Sequence, residues 1–318
     1  MVRMPRVFAL PSLLAVLCFG QPVGAQQADV TAWLGYVSTE YRMFANLPYH
    51  RAHGFELRLT IYSPKALAGA TRTMTHPNPT LIYFNGGGWR IGSKEHSVLD
   101  ILPYLEMGWT VVTPAYRLQE VSNAPAAVED ARCALRWVVR EARTYQFDTS
   151  RIVLSGGSAG GHLALTTGLI PNDSELDSQC PGPPPPRVAA IINWFGITDV
   201  ADLLEGANRQ QYAVTWVGSQ SDRMALARKV SPLTYLRSGA PPILTIHGTA
   251  DDAVPYSQST RLHQELTRLQ VPNQLLTIPE GGHGGFTRAQ NIMIYDTIRS
   301  FLAAHHLGRT VFAGPSKP

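Results

Sequence analysis

The chain has 318 residues, 44% of them apolar and 16% charged, with a formal net charge of +4. That length and apolar content can bury a large core, which excludes an intrinsically disordered chain. No dense basic cluster is interleaved with aromatics, so the positive balance does not point to nucleic acid.

The N-terminus reads as an address and not as part of the fold. Arg3 and Arg6 precede an apolar run from Val7 to Phe19, and Val23-Gly24-Ala25 supplies small residues for cleavage. This predicts a signal peptide over residues 1–25, a mature start at Gln26, and one catalytic domain over 26–318. The expected destination is periplasmic or secreted. An uncleaved anchor helix is the alternative, but the run is short and Pro22 follows it closely. Leu17 before Cys18 argues against a lipoprotein cleavage site. Cleavage would lower the net charge from +4 to +2. No other segment reaches the roughly 20 apolar residues of a membrane span, so no stable membrane anchor is expected.

Phe55, Leu57, Leu59 and Ile61 alternate with polar residues, which predicts a half-exposed strand in a hairpin turning near His53-Gly54. Short apolar runs then predict buried strands at Thr80–Phe84, Thr110–Thr113, Arg151–Ser155, Val188–Ile192, Pro242–Ile246 and Gln274–Ile278. Helical spacing marks Ala124–Tyr145, Gly161–Leu169, Gln258–Leu269 and Ile292–Ala304. Strands alternating with helices imply an α/β fold, a mostly parallel central sheet flanked by helices. Two segments break the alternation. The proline-rich stretch Pro171–Arg187 predicts a stiff loop, and 197–231 predicts a small cap over the site. Cys133 and Cys180, the cysteines remaining after cleavage, have two readings: a disulfide, or a helix-packed residue and a separate loop thiol.

Ser158 lies in Gly156-Gly157-Ser158-Ala159-Gly160, between a predicted strand and a predicted helix. A sharp turn there would push its hydroxyl outward, as a nucleophile requires. Such a serine needs an imidazole base and a carboxylate. His247-Gly248-Thr249-Ala250-Asp251-Asp252 and Gly281-Gly282-His283-Gly284-Gly285 each follow a predicted strand, so His283 is the candidate base and Asp251 or Asp252 the acid. Asp199 reads as a helix cap, His247 as a strand-end residue with a structural hydrogen bond, His162 as a packing residue, and His305 and His306 as solvated. Asn85-Gly86-Gly87-Gly88-Trp89 follows a strand and offers bare backbone amides, as does Ala159 beside the nucleophile, for a developing oxyanion. Trp89, Trp194, Phe195 and Trp216 are candidate pocket walls, with core packing as the other reading.

Taken together, Asn85 to Trp89, Tyr116-Arg117-Leu118, Asp130 to Trp137, Gly157 to His162, His247-Gly248 with Asp251, and the glycine-flanked His283 resemble the α/β-hydrolase serine esterases. The similarity is to the branch of bifunctional feruloyl/acetyl-xylan esterase-like and hormone-sensitive-lipase-like carboxylesterases, and spans about residues 40–305. It implies carboxylic ester hydrolysis by Ser158, Asp251 and His283, with Gly87, Gly88 and Ala159 as oxyanion donors and no cofactor or metal. The implied partner is a small-molecule or polysaccharide-linked ester. Amide hydrolysis by the same triad is the alternative. One departure stands out: Asn85 occupies the position where the family usually has His.

Overall fold

The computed structural model describes residue 35 and residues 38–65, 78–172, 174–180 and 183–308. The expected signal peptide lies outside these residues. The chain divides into two compact units, 1–39 and 40–318. In the first, the hydroxyls of Ser38 and Thr39 donate to the Gly35 carbonyl. The second holds the fold described below.

Its centre is an eight-stranded sheet: β1 (Tyr41–Ala52), β2 (Phe55–Pro64), β3 (Asn78–Phe84), β4 (Thr110–Pro114), β5 (Phe147–Gly157), β6 (Ala190–Trp194), β7 (Ile243–Gly248) and β8 (Asn273–Ile278). The order is β1-β2-β4-β3-β5-β6-β7-β8. β1 and β2 form an antiparallel hairpin, β2 pairs antiparallel with β4, and every other pairing is parallel. The hairpin turns where its sequence predicts. His53 (φ 49°) and Gly54 (φ 85°) form the two-residue loop with positive φ that matches strand twist.

Between the strands lie α1 (Val98–Glu106), α2 (Ala126–Arg140), α3 (Ala159–Leu169), α4 (Gln211–Val217), α5 (Arg223–Lys229) and α6 (Ser257–Arg268), and α7 (Arg288–Ala304) follows β8. The expected helix Ala124–Tyr145 is split, because Glu141 leaves helical geometry and Ala142–Tyr145 forms a separate turn. α1 has no counterpart among the expected helices, because its interior Pro103 masks its periodicity. Among the described residues, no helix is long and apolar enough to cross a membrane.

The central runs of β3 (Leu81–Phe84), β5 (Ile152–Leu154) and β6 (Ala190–Ile192) are apolar and buried, as strands covered on both faces must be. Their carboxyl ends all point to the edge of the sheet where the loops carrying Asn85, Ser158 and Phe195 emerge. Open parallel sheets place their sites at this edge.

Beneath that edge sits an aromatic stack. Trp89 and Trp216 are fully buried and lie face to face, ring centroids 4.0 Å apart at 11°. His162, on α3, meets both rings edge-on. The Trp89 indole N–H donates to His162 Nδ1 at 3.3 Å, so His162 carries its proton on Nε2 and donates it to the Val230 carbonyl at 2.7 Å. This corrects the expectation that Trp89 and Trp216 line a substrate pocket. Each is the other's stacking partner, so their faces are consumed in tying the glycine loop, α3 and the 197–231 segment together.

Cys133 on α2 is bonded to Cys180 in the proline-rich loop, across 47 residues. The same loop is held by Asp177, which accepts from Arg132 at 2.7 Å and Arg136 at 2.9 Å, both on α2. The expected stiff loop is therefore anchored to α2 by its acidic residue and its cysteine.

Two predictions follow from these contacts. By chain entropy, a closed loop of 47 residues contributes about 4 kcal/mol. Replacing Cys133 and Cys180 together by Ala is expected to lower the unfolding free energy in urea by about 2–4 kcal/mol; an unchanged midpoint contradicts this. Burial lowers the His162 pKa from 6.5 to about 4. The unfolded chain takes up that proton below 6.5 and the folded chain only near 4. Stability should be complete above pH 6.5 and fall by about 3 kcal/mol towards pH 4, a loss that His162→Gln lacks. Equal losses in the two proteins would contradict the assignment.

Candidate active site

Ser158 sits at φ 57°, ψ −122°, a region that non-glycine residues rarely adopt. Such a conformation costs on the order of 1–3 kcal/mol and persists only where the surroundings dictate it. Here its N–H donates to the Trp194 carbonyl at 2.9 Å and its carbonyl accepts from His162 N–H at 3.0 Å. The turn also needs bare backbone around it. A Cβ on Gly160 would lie 2.0 Å from the Phe84 carbonyl oxygen, because α3 starts directly against the end of β3. The result is a half-buried serine at the tip of β5, followed at once by the first turn of α3. The Ala159 amide opens that helix, where backbone N–H groups have no intrahelical acceptor.

The glycine loop faces Ser158 from β3. Gly87 (φ 120°) and Gly88 (φ 60°) are both in conformations that disfavour side chains, and a Cβ on Gly87 would lie 2.0 Å from the Ile91 carbonyl oxygen. The Gly87 carbonyl is occupied by the N–H groups of Arg90 and Ile91. Asn85, buried, braces the loop from below. Its side-chain amide donates to the Gly86 carbonyl at 2.9 Å, and its own carbonyl accepts from the Tyr116 hydroxyl at 2.9 Å. Tyr116 is placed by its neighbour Arg117, whose guanidinium grips Asp130 on α2 with three bonds of 2.8–3.0 Å. The Trp89 carbonyl closes the loop by accepting from Gln119 N–H at 2.8 Å.

Asp251 and His283 come from the loops after β7 and β8. The two loops are stitched together: Ala250 N–H donates to the Gly281 carbonyl at 2.9 Å and Glu280 N–H to the Thr249 hydroxyl at 2.9 Å. His283 Nδ1 lies 2.7 Å from Asp251 Oδ2. Asp251 Oδ1 accepts from the N–H groups of Ala253 at 2.9 Å and Val254 at 2.8 Å. Burial would raise the pKa of this carboxyl, but the hydrogen bonds from His247, His283 and Val254 N–H outweigh it and hold the group well below the usual carboxylate range. An ionised Asp251 places the proton of neutral His283 on Nδ1 and leaves Nε2 as the free base. The Phe195 ring packs against the His283 ring at a centroid distance of 4.6 Å, limiting its rotation.

Ser158, His283 and Gly86, Gly87 and Gly88 line one cavity of about 580 Å³. Its other walls include Tyr83, Ile91, Asp100, Trp194, Phe195 and Tyr212. The candidate walls Trp194 and Phe195 are thus at the cavity. Tyr83, Ile91, Asp100 and Tyr212 were not read from the sequence, although the strand alternation that buries Phe84 also points Tyr83 to the opposite face. Tyr212 comes from α4 in the 197–231 segment, which therefore forms part of the wall as a cap would.

The competing candidates lie elsewhere. Asp252 is exposed, and its carbonyl accepts from the Gln210 side chain. Asp199 accepts from Asp202 N–H and pairs with Arg261. Among the described residues, no group of three or more His, Cys, Asp or Glu side chains could hold a metal ion.

Solved structures share this architecture. Thermogutta terrifontis esterase 2 superposes with a TM-score of 0.70 at 24% identity, covering 85% of this chain and 96% of that one. A truncated carbohydrate esterase from gut microbiota gives a TM-score of 0.67 at 24% identity, covering 83% and 98%. Among curated relatives, the probable carboxylic ester hydrolase LipM of Mycobacterium tuberculosis is 30% identical over 242 residues, 72% of this chain and 55% of that protein. Esterase LipQ of the same organism is 27% identical over 285 residues, 85% of this chain and 65% of that protein. The chain thus spans between about half and two thirds of the length of these relatives. The BD-FAE family model matches residues 59–266, two thirds of the sequence, and the chain belongs to that family.

Proposed function

We propose that this protein is an exported serine hydrolase that cleaves carboxylic esters through an acyl-enzyme. The observation that carries the reading is the short Asp251–His283 bond at a cavity that also holds the strained Ser158 and the glycine loop. His283 Nε2 takes the Ser158 hydroxyl proton as Oγ attacks the ester carbonyl. The amides of Gly87, Gly88 and Ala159 receive the charge that develops on the carbonyl oxygen. Collapse of the tetrahedral intermediate expels the alcohol, which leaves with the proton held by His283. Water then repeats the sequence on the acyl-enzyme. Asp251 stays ionised throughout, orienting the imidazole and stabilising its cationic form.

Export is proposed on the N-terminal pattern of residues 1–25, with residues 26–318 as the mature catalytic domain. The Cys133–Cys180 bond supports it, since disulfides persist in oxidising compartments.

Ser158→Ala is expected to reduce turnover of a short p-nitrophenyl ester by at least about 10³-fold. Near-normal turnover would remove Ser158 from the reaction. Asp251→Asn should cost about 10³–10⁴-fold, whereas Asp252→Asn should remain within about twofold of the parent. The reverse order would reassign the acid. A matched anilide should be cleaved far more slowly than the ester; equal rates would favour an amidase.

A further inference from the structure

His247 is the penultimate residue of β7 and is fully buried. An apolar residue would serve the core there at lower desolvation cost. Instead both ring nitrogens are engaged. Nδ1 lies 2.6 Å from the Ser259 hydroxyl on α6, and Nε2 lies 3.0 Å from the Val254 carbonyl and 3.2 Å from Asp251 Oδ2. A carbonyl and a carboxylate can only accept, so Nε2 carries a proton and shares it between them. Ser259 then donates to Nδ1 and fixes this tautomer. Asp251 Oδ2 is therefore the acceptor for two imidazoles, His247 on one side and His283 on the other.

We propose that His247 is a positioning residue for catalysis, holding the carboxylate oxygen that His283 uses and weakening its hold on a proton. The proposal rests on the Ser158–His283–Asp251 reading above. A carboxylate with a single imidazole partner can rotate, and can draw the proton of the imidazolium towards itself. A second N–H donor on the same oxygen opposes both. The proton taken from Ser158 then stays on His283, ready for the leaving alcohol.

The surroundings leave His247 as the polar side chain that does this. Tyr256 meets the His247 ring edge-on at 5.5 Å, with its hydroxyl bonded to Thr277. Tyr212, from α4, turns its hydroxyl to the Ala253 carbonyl, and burial, together with the Asp251 charge, raises its pKa. Asp252 is exposed. The Phe195 ring packs near both imidazoles, its centroid 6.4 Å from that of His247 and 4.6 Å from that of His283, and offers no donor.

The test compares wild type, His247→Leu, His247→Gln and Ser259→Ala. Active sites are counted by the p-nitrophenol released from a diethyl p-nitrophenyl phosphate. Per counted site, His247→Leu should lower kcat about 10–100-fold with KM within about twofold. The acid limb of its pH–rate profile should move up by roughly half a unit, as Asp251 regains basicity and stabilises the His283 imidazolium. His247→Gln, which can still donate an N–H, should recover most of both effects. Ser259→Ala, which keeps the ring but frees its tautomer, should move the limb in the same direction by less. Unchanged kcat and acid limb per counted site, with losses confined to the number of sites, would overturn the proposal. So would a Gln variant as impaired as Leu. A wild-type enzyme that turns over esters but releases no stoichiometric p-nitrophenol would instead overturn the Ser158 assignment on which this rests.

Discussion

A carboxylate can stay ionised away from water only if donors fill its oxygens, and the arrangement at the cavity depends on Asp251 meeting that condition. Two backbone N–H groups fill Oδ1, and His283 and His247 share Oδ2. These bonds reverse the upward push of burial on the carboxyl. The acid loop and the histidine loop that carry these groups are also bonded to each other through Ala250 and Gly281. The charge, the tautomer of His283 and the closure of the two loops are one constraint seen from three sides.

The other half of the site is held by packing. Trp89 stacks on Trp216 and bonds to His162, which links the glycine loop, the helix after Ser158 and the capping segment in one buried cluster. On the opposite side of the loop, Asn85, Tyr116, Arg117 and Asp130 form a polar chain running back to α2. The loop is thus clamped by an aromatic contact on one flank and a hydrogen-bonded chain on the other. Asn85 stands where the resemblance implies His, and its side-chain amide donates to the Gly86 carbonyl and, at 3.4 Å, to the Tyr116 hydroxyl.

Much of the sheet was legible in the sequence because parallel strands buried on both faces are continuous apolar runs, as at Leu81–Phe84 and Ile152–Leu154. The loop residues were legible for a different reason. Ser158, Asp251 and His283 each follow a strand and are flanked by small residues, a local pattern that long-range packing does not alter. Trp89 and Trp216 were misread because their roles depend on each other, and no local pattern reveals that residues 127 positions apart are stacked. The cavity walls Asp100 and Tyr212 escaped for another reason. They come from α1, hidden by Pro103, and from a capping segment of short helices with little periodicity. His247 was read as a strand-end residue with a structural hydrogen bond, and the two loops had to meet before its second acceptor became visible.

The proposed reaction stands on Ser158, held strained at the tip of β5, carrying the acyl group on its Oγ. Incubation with a fluorophosphonate, followed by intact-mass measurement and peptide mapping, tests it most directly. One adduct per chain is expected, located on Ser158, with loss of ester hydrolysis in proportion to labelling. An adduct on another residue, or full hydrolytic activity with Ser158 completely labelled, would contradict it.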